Sequence, residues 1–224
     1  MSIVRRLSFS INIFIFLASV LAIQVEAMGF GDIPKFETIS KQTLSLSNRN
    51  ANPFVNGIFK DNILLNVAYI SGKVINPSQI NWSELQKPFI YEFTLKPGEA
   101  FAFHDDVLPE FTGKVVKTGN SHFNYRDGYK TDGFLYGDGV CHLASLMYWA
   151  AKDARLLAKA PIRHNIAPIP DVAYENGVSI YYAPGASQTN KLQNMYIQNI
   201  YKKPVVIRFN YKNNTLSVSI LKAA

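Results

Sequence analysis

Residues 134–154 read FLYGDGVCHLASLMYWAAKDA, and this stretch decides the fold. Gly137 and Gly139 allow a tight turn. After Cys141, the apolar residues Leu143, Leu146, Met147, Ala150, Ala151, Ala154 and Leu157 recur at i, i+3, i+4, i+7. That is the period of an amphipathic helix, here of about four turns and ended by Pro161. Its apolar face needs a sheet to cover.

Strand signals lie on both sides. Downstream, Val178 to Tyr182, Asn194 to Asn199 and Val205 to Tyr211 read as strands, and Lys212-Asn213-Asn214-Thr215 turns into a last one, Leu216 to Leu221. Upstream, Phe89 to Leu95, a Lys96-Pro97-Gly98 turn and alternation through Phe101 and Phe103 predict a strand pair. Ile63, Val67 and Ile70 behind Asp61 suggest a short helix with Asp61 as its cap. Residues 109–138, rich in Gly, Asn, Asp and Tyr, read as a long irregular segment of the kind that carries binding residues. Residues 28–60 mix Gly, Pro, Ser and Asn without a period and read as a linker or arm, which leaves 61–224 as one domain. The expected fold is α+β, a central helix carrying Cys141 packed on a mainly antiparallel sheet.

The first 27 residues place Arg5 and Arg6 ahead of an apolar run that ends in Val25-Glu26-Ala27. This reads as a signal peptide cleaved on export. The alternative is membrane attachment through a retained anchor over residues 7–25, weakened by Ser8, Ser10 and Asn12. Either way the rest of the chain faces outward: periplasmic, extracellular or anchored. The net charge of +7 suits an anionic envelope, whereas export argues against a nucleic-acid partner.

Cys141 is the only cysteine of the chain. It forms no internal disulfide, and a lone thiol is a liability in an oxidising compartment. At a helix start, unpaired amides and the positive end of the helix dipole stabilise a thiolate. His164, 23 residues on, is the candidate base. The bland alternative is a small buried cysteine that merely packs. His142 and Arg163 are the polar neighbours, Arg163 as a solvated charge or, alternatively, as the holder of a carboxylate ligand. His104 and His122 lie near Asp105, Asp106 and Asp127, but no metal-ligand spacing occurs, so neither metal nor cofactor is expected.

The segments LKPGEAFAF (95–103), GDGVCHLASLMYWAA (137–151), PIRHN (161–165), NGVSIYYAPGAS (176–187) and MYIQNIYKKPVVIRFNYKNNTLSVSI (195–220) resemble, in order, the motifs of VanW-like proteins. The resemblance spans roughly Asp61 to Leu221. It implies a cell-envelope protein of the group named for glycopeptide-resistance clusters, and it puts Cys141 and His164 on the family's motif Cys and His. His142 stands where the family has Gln, Asp138 replaces a glycine, and Ser187 and Gln188 fall where the family has Asp-Ala. If that Asp orients the histidine, Ser187 or Gln188 would do so without charge.

Three functions follow as expectations. The first is binding of peptidoglycan or its stem peptides in a cleft around Gly139, Cys141, His142 and His164, lined by Phe123, Tyr125, Tyr129, Phe134 and Tyr136. The second is a cysteine hydrolase or acyltransferase with Cys141 as nucleophile and His164 as base, on a Cys-helix then His order analogous to papain-like enzymes. The third is a structural envelope protein.

Overall fold

The computed structural model describes residues 35–134 and 136–224. The expected signal peptide or anchor lies outside them. Among the described residues, no helix is long and apolar enough to cross a membrane.

The elements run β1 (Phe36–Ser45), α1 (Pro53–Ser71), α2 (Trp82–Leu85), β2 (Phe89–Leu95), β3 (Ala100–Ala102), β4 (Val115–Thr118), α3 (Val140–Asp153), β5 (Leu157–Lys159), α4 (Ser187–Leu192), β6 (Tyr196–Gln198), β7 (Val205–Lys212) and β8 (Thr215–Ala223). They form an α+β fold with two four-stranded sheets, ordered β1-β8-β7-β2 and β4-β3-β6-β5. The first sheet is antiparallel throughout, and in the second only β3 and β4 run parallel. The Cys141 helix α3 packs across β1 and β8 and against α1, burying Leu143, Leu146, Met147, Ala150 and Ala151.

Several expectations need correction. Residues 28–60 are no arm from Phe36 onward: β1 pairs with β8 along its length and buries Leu44. The helix expected behind Asp61 begins at Pro53. Asn52 caps it, its side chain accepting from the Phe54 and Val55 amides at 2.9 and 3.4 Å. Asn before Pro is a strong start signal, because Pro at the first helical position loses only an amide that has no partner anyway. Asp61 is mid-helix and pairs with Lys130 at 2.6 Å.

The expected strand pair at 89–103 is split. β2 joins β7 in one sheet while β3 joins β6 in the other, so the Lys96-Pro97-Gly98 turn carries the chain between sheets. Helix α3 stops at Asp153, before Leu157. Arg155 is left-handed at φ 56°, and the Leu156 and Arg155 amides donate back to the Ala151 and Lys152 carbonyls. This double bond closes a helix in the manner normally signalled by glycine, which is missing here.

Helix α1 carries polar groups into the interior, and these organise the irregular segment. Asn62, fully buried, donates to the Lys130 and Asp138 carbonyls at 3.0 and 2.9 Å and accepts from the Lys130 amide at 2.9 Å. Asn66 donates to the Tyr129 hydroxyl at 2.8 Å, and the Tyr69 hydroxyl donates to the Asp127 carbonyl at 2.8 Å. Asp127, Tyr129, Lys130 and Asp138 are thereby held without a strand. Asn62→Leu leaves the Lys130 amide and the Asp138 carbonyl without this partner, while the Lys130 carbonyl keeps the Gly137 amide; at about 1–3 kcal/mol for each stranded group, urea unfolding should show a loss of about 2 kcal/mol or more.

Candidate functional site

The turn before α3 is built as its glycines predict. Gly137 and Gly139 take φ of 84° and 96°, and Gly139 is the residue before the helix. A Cβ on Gly139 would lie 2.6 Å from the Phe59 carbonyl oxygen, so α1 and the turn touch only because no side chain intervenes. Burial pushes the Asp138 carboxyl up to about 6.

Cys141 sits in the opening turn of α3, but its sulfur faces backbone. Sγ donates to the Ile180 carbonyl at 3.6 Å and accepts from the Ile180 amide at 3.4 Å. One turn on, the Ser145 hydroxyl accepts from the Val178 amide at 2.9 Å. The stretch from Val178 to Tyr182, expected as a strand, forms only an isolated bridge to Arg163, and two helix side chains occupy places a neighbouring strand would fill. Desolvation pushes the Cys141 thiol up to about 11, opposite in direction to the depression expected at a helix start. Among the described residues the thiol hydrogen-bonds to no histidine.

His164 instead donates from Nδ1 to the Ala167 carbonyl at 2.9 Å, and its ring centre lies 6.4 Å from that of His142. His142 is buried and packs on Phe59 at 5.0 Å between ring centres. Desolvation, with the positive charge of Arg49 and the proximity of His164, lowers its pKa to about 3. Arg163 is exposed and lies over the Tyr174 ring. The Ser187 hydroxyl donates to Asp106 at 2.8 Å and Gln188 is exposed on α4, so neither orients His164 through a hydrogen bond.

On the outer side of the turn lies a concavity of about 230 Å³ lined by His122, Phe123, Phe134, Tyr136, Ile180 and Tyr182 among others. The cleft was expected around Gly139, Cys141, His142 and His164, none of which lines this concavity; of the aromatic residues expected there, Phe123, Phe134 and Tyr136 line this one instead. Tyr125 packs against Tyr136 with the rings tilted and their centres 5.8 Å apart. Tyr129 is a core residue, bonded to Ser121 and Asn66, and is unavailable to a ligand. Phe134 is 90% exposed and Tyr136 50%, an unusual display of aromatic surface. The imidazole of His122 stacks on Tyr182 at 3.9 Å and bonds to Asp105 through Nε2 at 2.9 Å. His104 is separate and buried, held by Gln193 and Asn194. Among the described residues, no group of three or more His, Cys, Asp or Glu is placed to hold a metal.

Sequence reasoning missed Arg49, Tyr181, which also lines the aromatic concavity, and the Asp105–His122 pair as a unit. Arg49 gives no local signal, since it sits among Asn and Ser in a stretch without period. Tyr181 and Tyr182 lay in the expected strand, where alternation would have put one of them in the core.

Iodoacetamide alkylation of Cys141 should be slow at pH 7 and rise only toward pH 11, with no change in His164→Ala. A reactive thiol at neutral pH that slows in that variant would contradict the geometry. Because the pKa of His142 is depressed from about 6.5, the stability gained by keeping it neutral is present above that value. It is lost as pH falls toward 3, by about 1.4 kcal/mol per unit. Asp138, raised to about 6, acts with the opposite sign, its contribution fading as pH rises through that value. The test is therefore the difference between wild type and His142→Gln in urea midpoint from pH 7 to 4. The variant should lose less stability on acidification.

Comparison with curated proteins and comparison with solved structures each give no significant match. A family model described as VanW like protein matches residues 83–221, which is more than half of the chain and includes β2, the Gly-Asp-Gly turn, α3, His164 and the last hairpin. The turn, the helix behind it and strands β2 to β7 thus fall within a single family pattern, and the chain belongs to the VanW-like family.

Proposed function

We propose that this protein is an exported cell-envelope member of the VanW-like family that binds peptidoglycan or its peptide stems in the aromatic concavity beside the Gly137–Gly139 turn. The observation that carries the reading is the exposed aromatic display of Phe134 and Tyr136 around a concavity of about 230 Å³. Aromatic faces pack against the apolar faces of sugar rings and alkyl side chains of peptides, and the Tyr hydroxyls and the His122–Asp105 pair add polar recognition. A rigid base favours this. The turn is fixed from α1 by Asn62 and from behind by the Cys141–Ile180 bonds, so little ordering is needed on binding.

The export part of the proposal rests on residues 1–27, with two arginines before an apolar run and small residues at its end. The net charge of +7 supports an anionic envelope as the setting. A cysteine hydrolase is the weaker reading, because the thiol is bonded to backbone and its pKa is raised. In the binding reading Cys141 braces the wall of the concavity through Ile180, and the retention of a single cysteine has a structural cause.

The test is sedimentation with purified cell-wall sacculi. Tyr136→Ala and Phe134→Ala should each weaken binding about three- to tenfold, and Cys141→Ser should bind as wild type. Binding should also fall as salt rises, since the long-range attraction is screened. Unchanged binding in the double aromatic variant would overturn the assignment, and release of soluble wall fragments lost in Cys141→Ser would favour the hydrolase.

A further inference from the structure

Strand β2 ends its sheet: in the order β1-β8-β7-β2 only β7 flanks it. Backbone N–H and C=O groups alternate in direction along a strand, so about half of those between Phe89 and Leu95 point away from β7. Among the described residues, the bond from the Asn199 side chain to the Leu95 carbonyl is the only one that reaches this backbone from outside the ladder. Edges are commonly closed to further pairing by proline, a bulge or an unpaired charge. β2 pairs with β7 in unbroken register over its 7 residues, contains no proline, and has its single charge, Glu92, paired with Arg208 on β7.

A concavity of about 390 Å³ lies beside this edge, and its lining takes in the consecutive residues Phe89, Ile90 and Tyr91. Side chains alternate between the two faces of a strand, and Ile90 is 66% exposed while its neighbours are half-buried. A hollow that meets all three therefore opens at the edge of the strand rather than on one face. Leu64 and Val67 of α1 and Leu85 of α2 line the rest of it with apolar side chains. It shares no lining residue with the aromatic concavity and does not depend on cell wall binding there.

Free edge amides and carbonyls select an extended peptide backbone, which presents the complementary groups at the same spacing. The apolar hollow gives such a peptide a seat for one side chain. Charge selects among peptides. Lys73 lines the concavity, its Nζ bonded to the Glu84 carbonyl at 3.3 Å, and Lys117 of β4 places its Nζ 6.0 Å from the centre of the Tyr91 ring. Among the described residues neither lysine is in an ion pair, while Glu84 and Glu92 are matched by Lys87 and Arg208, which leaves positive charge in excess here. A second copy joined through the same edge would bring two basic rims together. We propose that the free edge of β2 docks an acidic peptide segment of another protein, added as a fifth strand of the sheet with one aliphatic side chain seated in the concavity.

Fluorescence titration of the full chain against the labelled peptide acetyl-Glu-Thr-Val-Thr-Leu-Thr-Glu-amide, whose composition favours a strand, tests this. Binding should saturate below about 1 mM and weaken about tenfold or more with glycine in place of the leucine. N-methylation of one set of alternate peptide amides should abolish binding and of the other set leave it, because only one edge of the added strand faces β2. Lys73→Glu, at an exposed position that should leave folding intact, is expected to weaken the acidic peptide about threefold or more and to favour its lysine analogue. Tyr136→Ala should leave binding unchanged. An absence of saturable binding, equal loss from both methylated forms, or indifference to Lys73→Glu would overturn the site. Self-association of the free chain that protects the β2 amides from hydrogen exchange would overturn the assignment to a peptide in favour of a second copy.

Discussion

Buried irregular backbone must be hydrogen-bonded, and this chain meets that requirement with side chains where strands are missing. Six asparagines, Asn62, Asn66, Asn176, Asn190, Asn194 and Asn199, are nearly or completely buried. An asparagine amide offers the same donor and acceptor as a peptide group, so it can stand in for one. Asn194 accepts from the Phe103 and Met195 amides at 2.9 and 2.7 Å and donates to the His104 and Asp106 carbonyls at 3.1 and 2.9 Å. Asn199 donates to Leu95 and Lys203 and accepts from Tyr201, which holds the crossing between the two sheets. Cys141 and Ser145 belong to the same device, applied to the backbone of Val178 and Ile180.

That device decides where function can sit. The turn at Gly137–Gly139 is clamped from α1 on one side, and the Val178–Tyr182 stretch is clamped from α3 on the other. Between them the aromatic side chains of Phe134, Tyr136 and Tyr182 line the concavity. A loop built this way presents a binding surface at low conformational cost. The same bonds turn the Cys141 sulfur toward the backbone of Ile180, and desolvation pushes its thiol pKa up to about 11.

Much of the fold was legible in the sequence. The period after Cys141 marks α3, Asn213-Asn214 marks the last hairpin with both residues left-handed, and the glycines mark the turn. The split of β2 and β3 between sheets was hidden because a turn signal does not say which partner each strand takes. The end of α3 was hidden because a non-glycine residue takes the left-handed position. The candidate site was legible only in part. Cys141, His142 and Gly139 stand at the helix start as the glycines imply, but Phe134 and Tyr136 line a concavity that does not include Cys141 or His164, and a spacing of 23 residues cannot say which ring faces the thiol. Arg49 was hidden because its partners are some 120 residues away in the chain.

The central claim is that Cys141 is a backbone partner that braces the concavity. Amide hydrogen exchange at Ile180, followed residue by residue, tests it most directly. Strong protection in wild type, lost in Cys141→Ala and retained in large part in Cys141→Ser while the Val178 amide stays protected through Ser145, is the predicted result. Free exchange of the Ile180 amide in wild type, or protection indifferent to Cys141→Ala, would contradict the account and return the cysteine to candidacy as a chemical group.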